Sequence, residues 1–321
     1  MTLLVLLLAF WQQDRDNSST VFMEGKALGV AFSLHYTGDP QLEKSLDSII
    51  YCLDKVVNLQ RPDAEVSRFN RNGILESFSP HLEKMMEVSK HYQQVSGGLV
   101  NHSMLPLIEA WGRDFSKKNH ISEAMVDSLK SLVSSDNIVV EDGTIKALCK
   151  GSSIDLNYLD KGYLIDLLGN FLRSKEVNNF HIEFGLDGCV FGKTNPKQTT
   201  NFLLNIPVEL QASFAGKGNF SVLNRCFSTS GSFEKFYLDE KGNKHSHLID
   251  PNTGYPLKNG ILSTHILSTS ALEADAMATI AMIQDLETTK GMIEGMGSVE
   301  GMILYDDEGV LKYWTSSGFY K

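Results

Sequence analysis

The sequence predicts an α+β fold. Helical and strand-like periodicities interleave along it without the strand–helix–strand rhythm of a doubly wound sheet. Turn signals at Asp142-Gly143 and around 306–309 (DDEG) close two antiparallel hairpins. The 321 residues, 42% of them hydrophobic, suffice for one large domain or two intimate subdomains.

In chain order, residues 27–36 have strand character, interrupted by Gly29. Residues 42–58 place Leu46, Ile49, Ile50, Leu53 and Val57 at helical spacing. Arg61-Pro62-Asp63 ends that helix, and a turn and helix start follow it. Residues 81–96 predict a helix stopped by Gly97-Gly98. Further helices are expected at 104–111, 123–134 and 159–173, with a hairpin at 137–148 between the last two. Residues 181–191 read as one strand broken by Gly185 and Gly188, and 202–206 and 221–227 as two more. A strand at 261–267 feeds a helix at 271–282, and a hairpin at 299–315 closes the chain.

The net charge of −10 demotes nucleic acid as a partner, because nucleic-acid binders usually carry a basic surface. An acidic protein that handles phosphates needs a cation to help. Cys52, Cys149, Cys189 and Cys226 are widely spaced, form no C-x-x-C pair and read as buried apolar thiols. Residues 2–11 (TLLVLLLAFW) form an apolar run too short to span a bilayer. With the polar tether that follows, residues 1–20 are read as an export or membrane-anchor segment ahead of a domain at 21–321. The expected location is the cell envelope, membrane-anchored or facing the periplasm.

Five constellations carry chemistry. In 270–279 (SALEADAMAT), Ser270 and Glu273 have capping-box spacing, so a helix starts at Ser270. Asp275 and Thr279 are then i and i+4 on one face, an oxygen pair suited to a hard cation among small alanines. An exposed aspartate and a threonine bonded back into its own helix would have the same spacing. In 247–254 (HLIDPNTG), His247 precedes a rigid turn and is a candidate general base, or a structural histidine beside a turn. The run 228–232 (STSGS) reads as a small-residue loop offering hydroxyls and amides to a phosphate. In 154–163 (IDLNYLDKGY), Lys161 at a helix head could meet a phosphate, or be a solvated surface charge. Residues 61–70 (RPDAEVSRFN) show only a turn and a helix start.

Together these segments resemble the FAD:protein FMN transferases, the ApbE-type family. Residues 63–70 look like D-x-E-[IV]-S-R-F-N. Residues 97–111 look like GG-x-F-D-x-T-V-x-P-L-x-x-x-W. Residues 154–163 look like I-D-L-G-G-I-A-K-G-Y, and Thr229-Ser230-Gly231 matches T-S-G. Residues 247–256 and 274–279 look like H-I-I-D-P-x-T-G-x-P and A-D-A-x-A-T. The six motifs keep the family's order. The resemblance implies a T-fold-like α+β architecture of mixed sheets packed with helices, FAD as substrate, and Mg2+. It implies metal ligands at Asp275, Thr279 and a backbone carbonyl near Tyr158. Cofactor contacts fall at Leu28, Gln60, Val100, Asn101, His102, Asp155, Lys161, Thr229 and Ile249, and the base at His247. The implied reaction moves FMN to a Ser or Thr hydroxyl of an acceptor flavoprotein subunit and releases AMP. An FAD pyrophosphatase giving FMN and AMP, or a non-catalytic flavin-binding protein, would use the same scaffold. The chain departs from the motifs at Leu28, Gln60, Asn101 and Ser103. Asn157-Tyr158-Leu159-Asp160 stands where the family has G-G-I-A, so two glycines beside the metal carbonyl are replaced.

Overall fold

The computed structural model describes residues 20–112, 121–192, 199–201, 219–232, 236–238, 244–246 and 248–320. Among these, fifteen strands and eight helices form the expected α+β architecture. Strands β1 (Thr20–Ala27) and β2 (Val30–Thr37) precede helices α1 (Glu43–Val57) and α2 (Glu65–Asn72). Next come β3 (Ile74–Glu76), α3 (Pro80–Val95), α4 (Leu105–Trp111) and α5 (Glu123–Lys130). The hairpin β4 (Ile138–Glu141) and β5 (Thr144–Ala147) leads to α6 (Asp160–Ser174). Then follow β6 (Phe180–Phe184), β7 (Asp187–Phe191), β8 (Thr199–Asn201), β9 (Asn219–Ser221) and β10 (Arg225–Gly231). The chain ends in β11 (Phe236–Leu238), β12 (Lys244–Ser246), β13 (Ile261–Ser268), α7 (Ala271–Ile283), α8 (Leu286–Gly295), β14 (Val299–Asp307) and β15 (Val310–Thr315).

Eight strands form one sheet in the order β1-β2-β6-β7-β10-β13-β14-β15, and every neighbouring pair is antiparallel. Both faces of its centre are covered, as alternation along the strands shows. Cys226, Ile266 and Ile303 point into the main core shared with α6 and α7, whereas Phe227, Leu267, Met302 and Leu304 point into a second cluster. Helix α7 lies against β10 and β13, held by the Thr264 hydroxyl donating to the Ala278 carbonyl (2.8 Å). Strands β3, β5 and β4 make a separate small sheet.

Several elements differ from expectation. Residues 27–36 hold two strands joined by a turn at Leu28-Gly29, with φ of 51° and 79°. Leucine carries no left-handed signal, so the turn is invisible locally; Leu28 N–H is fixed by donating to Asp54 Oδ1 (2.9 Å). Residues 181–191 are likewise a hairpin, turning at Gly185-Leu186. The strand expected at 221–227 lies at Arg225–Gly231, so the supposed phosphate loop 228–232 is mostly strand. Thr20, assigned to the tether, starts β1 opposite Thr37. The small strand β3 was not anticipated, nor was α8, whose Gly291 and Gly295 weaken the helical signal. Cys189 and Cys226 are not free thiols: β7 and β10 bring them into register and they are joined in a disulfide. Cys52 is exposed and Cys149 half-buried. The apolar run 2–11, the strand expected at 202–206 and His247 lie outside the described residues. Among the described residues no helix is long and apolar enough to cross a membrane.

Candidate active site

The site is organised by two helix heads that cap each other. Asp166 on α6 accepts from Ser270 Oγ (2.6 Å), Ala271 N–H (2.9 Å) and Leu272 N–H (3.1 Å) at the start of α7. In return Asp275 Oδ2 on α7 accepts from Gly162 N–H at the start of α6 (2.9 Å). Orphan amides at both helix starts are thereby satisfied. Ser270 is the N-cap expected, accepting from Glu273 N–H (3.2 Å). The return arm of the capping box is absent: Glu273 accepts from Ser268 and Ser298, and Ser268 Oγ accepts from Ser270 N–H.

Gly162 allows this approach. A Cβ there would lie 2.4 Å from the Ala271 carbonyl oxygen and 2.8 Å from Asp275 Cβ. The contact brings Lys161 among three carboxylates. Its ammonium lies 3.4 Å from Asp187, 3.5 Å from Asp160 and 3.7 Å from Asp275, and donates to the Asn157 carbonyl (3.4 Å). Burial works against the Lys161 charge, but Asp275, Asp187 and Asp160 outweigh it and raise its pKa well above the usual lysine value. Lys161 is therefore not the solvated charge its sequence allowed, nor an unengaged ammonium waiting for a phosphate.

Burial pushes the Asp275 carboxyl well above the carboxylate range, with Asp187 and Asp160 adding to the effect against the pull of Lys161. Asp160 rises to about 6, again chiefly through burial. Asp187 Oδ1 accepts from Ser228 Oγ (2.5 Å) and Thr229 N–H (3.3 Å) on β10. Asp187 Oδ2 and Asp160 Oδ1 are buried and accept no hydrogen bond among the described residues. Ser230 Oγ lies 3.5 Å from Thr279 Oγ1, so β10 and α7 place two hydroxyls side by side.

Asp187, Ser230 and their neighbours border a cavity of about 570 Å³, with Asp160 behind its wall. Asp155, Tyr158, Lys161, Thr229, Asp275 and Thr279 form its polar side; Val100, Asn101 and Ile249 line it elsewhere. The sequence-predicted pair Asp275 and Thr279 thus does share one face, turned into a cavity. Three predicted cofactor contacts do not line it. Gln60 reaches Gly29 of the β1–β2 turn and Leu28 packs against the main core, while Val30 and Leu186 line the cavity. His102 is fully buried beside Ser89. His247 is outside the described residues; the turn that follows it in the chain is described. Asp250 N–H donates to the Tyr255 carbonyl (3.0 Å), Gly254 N–H donates to the Asp250 carbonyl (2.7 Å), and Ile249 bridges to Pro256. Trp111 Nε1 donates to the Gly254 carbonyl (2.8 Å), pinning this turn to α4.

Sequence reasoning assigned no role to Asp160, Asp187 or Trp111, and read Ser230 only as part of the supposed phosphate loop 228–232. Trp111 stood inside a motif-like stretch, and Asp160 was one of the four departures from G-G-I-A. A second grouping of metal-type side chains, Asp166 with Cys189 and Cys226, is not a metal centre: the sulfurs are bonded together and the carboxylate caps α7.

The polar side fits a hard divalent cation. Three carboxylates face one ammonium, so two negative charges remain uncompensated when all are ionised, and the donors are oxygens. An α+β fold with such an acidic, hydroxyl-lined cavity has the donor chemistry to suit a cation beside a phosphate-bearing ligand. The chain belongs to the ApbE family, whose sequence model matches residues 28–303. A relative named FAD:protein FMN transferase from Vibrio cholerae serotype O1 is 23% identical over 326 residues, covering 98% of this chain and 95% of its own. One of the same name from Chlamydia muridarum is 27% identical over 291 residues, covering 85% and 87%. The solved flavin transferase ApbE of Vibrio cholerae overlays with a TM-score of 0.77 at 19% identity, covering 94% of this chain and 98% of that one. The apo flavinyl transferase ApbE of Pseudomonas stutzeri gives 0.82 at 18%, covering 96% and 98%.

Proposed function

We propose that this chain is an Mg2+-dependent transferase that moves FMN from FAD to a Ser or Thr hydroxyl of an acceptor protein and releases AMP. The observation that carries the reading is the family match over a cavity where Asp275 and Thr279 stand beside an acidic cage around Lys161. Asp275 and Thr279 would hold the cation, with the carbonyl of Tyr158 as the third ligand the family resemblance implies. When bound, the cation neutralises the FAD pyrophosphate and stabilises charge on the departing phosphate.

The protein's own groups divide the remaining work. Lys161 keeps the Asp187 and Asp275 carboxylates together in the absence of substrate. Ser230 and Thr229 offer hydroxyls at the cavity wall. The turn at 250–254, held by Trp111, sets Ile249 into the wall. His247 takes the proton from the incoming hydroxyl. The hydroxyl oxygen bonds to the FMN phosphorus, the pyrophosphate bridge breaks, and AMP leaves with the bridging oxygen. The apolar run 2–11 and the Cys189–Cys226 disulfide support a cell-envelope location, because disulfides persist in oxidising compartments.

The test is incubation with FAD, MgCl2 and a Ser/Thr-bearing acceptor. Covalent flavin fluorescence on the acceptor with AMP release supports transfer; FMN and AMP with an unlabelled acceptor support hydrolysis; neither product overturns both. Asp275→Ala is expected to abolish metal-dependent turnover, and turnover that survives it overturns the metal assignment.

A further inference from the structure

Tyr158 stands where the family resemblance places a glycine, in the loop whose carbonyl is expected at the cation. Its side chain does not fill the cavity with its hydroxyl. It turns away, and the hydroxyl donates to Ser89 Oγ on α3 (2.7 Å). Ser89 Oγ in turn lies 3.0 Å from His102 Nδ1. Because Ser89 accepts from Tyr158, its own proton is available to His102. Burial, with the charge of Lys90 adding to it, lowers the His102 pKa to about 4, so the ring that shares a hydrogen bond with Ser89 is neutral. A phenol is protonated near neutral pH, so Tyr158 is the donor in its bond to Ser89. The bonds connect Tyr158 at the cavity wall through Ser89 to the buried His102 ring.

The same histidine holds the loop a second time. Its backbone carbonyl accepts from Asp155 N–H (2.8 Å). Asp155 Oδ1 then accepts from Asn157 N–H (2.9 Å). Ahead of the loop, Asn70 exchanges two hydrogen bonds with the backbone of Ile154. Residues 155–158 are therefore tied to the α3 side of the molecule at both ends of the segment, with Tyr158 supplying the tie nearest the cation.

We infer that Tyr158, Ser89 and His102 form a positioning relay that fixes the 155–159 loop for cation binding, replacing local glycine geometry with a long-range anchor. Glycine at this place permits close backbone approach through conformational freedom; the tyrosine reaches a comparable end by restricting it. The assignment also gives His102 a role that its absence from the cavity lining requires. The metal part of the inference rests on the proposed function.

The experiment compares wild type with Tyr158→Phe, Ser89→Ala and the double variant in the full chain. The activity readout is turnover of FAD as MgCl2 is varied. The independent readouts are the MgCl2 dependence of thermal unfolding and amide hydrogen exchange across 155–159 without metal. Loss of one buried hydrogen bond predicts a roughly five- to tenfold rise in half-saturating Mg2+ for Tyr158→Phe. Ser89→Ala should act in the same direction, and the double variant should fall short of the product of the two, because both cut one relay. Exchange at 155–159 should accelerate in both single variants. Unchanged exchange, or faster exchange with unchanged half-saturating Mg2+ in the unfolding assay, overturns the relay. A fall in kcat with unchanged Mg2+ dependence also overturns it. No turnover by the wild type overturns the proposed function, while exchange and Mg2+-dependent unfolding still judge the relay.

Discussion

Gly162→Ala sets helix propensity against packing and so has a decisive sign. Alanine at an interior helical position is favoured over glycine by about 1 kcal/mol, so local reasoning predicts stabilisation. The structure predicts the reverse. The added Cβ would sit 2.4 Å from the Ala271 carbonyl oxygen, about an ångström inside ordinary contact, and 2.8 Å from Asp275 Cβ. Neither neighbour is a flexible side-chain end. The heads of α6 and α7 must move apart, which lengthens the Gly162–Asp275 hydrogen bond and loosens the Asp166 cap on α7. Overpacking of this kind costs about 1–3 kcal/mol, and a strained capping bond adds about 1 kcal/mol. After the propensity gain, the net expectation is a loss of about 1–3 kcal/mol, or roughly 2–6 °C in Tm for a chain of this size. Thermal unfolding in chelator reads the stability, and a MgCl2 titration reads the site, where half-saturation should rise because Asp275 is displaced. A Tm at or above wild type would refute the mutual-capping argument outright.

Three further outcomes follow from the same geometry. Asp160 is buried with its pKa raised to about 6, so the folded protein holds a proton that the unfolded chain has released; this opposes folding increasingly as pH rises from about 4 through 6. Asp160→Asn should therefore gain on the order of 2 kcal/mol over wild type at pH 7.5 and little at pH 4 in metal-free denaturation; equal gains at both pH values would contradict the assignment. For Asp275, raised in the same direction, a bound cation favours the ionised form, so stabilisation by MgCl2 should be larger at pH 7.5 than at pH 5; the reverse order would argue against Asp275 as ligand. Trp111→Phe keeps a ring against Tyr255 but removes the bond to the Gly254 carbonyl, so the denaturation midpoint should fall by the equivalent of about 1 kcal/mol; no change would mean the turn is held by other contacts.

Local chemistry is written in the chain order, and it was legible there. Capping at Ser270 and the i, i+4 relation of Asp275 to Thr279 follow from helical periodicity, and the structure turns both residues into one cavity. Helices at Glu43–Val57, Pro80–Val95 and Asp160–Ser174 follow from apolar spacing and from Gly97 or Pro80 at their ends. The hairpin at Leu28-Gly29 escaped because a leucine in left-handed backbone is specified by Asp54, 26 residues away, rather than by its own propensity. The disulfide escaped because Cys189 and Cys226 meet only through strand register.

By itself, then, the sequence determined which residues carry oxygen ligands, hydroxyls and imidazoles, and which short-range geometry each adopts. The tertiary structure alone decided their electrostatics and partners. Lys161 could be a solvated surface charge until three carboxylates from α6, β7 and α7 converged on it at the cavity wall. His102 could face the cavity until Ser89 claimed its ring. The reason is physical: spacing along one helix or strand fixes direction, but burial and Coulomb interaction depend on distances between segments over a hundred residues apart, such as Gly162 and Asp275, and only packing sets those.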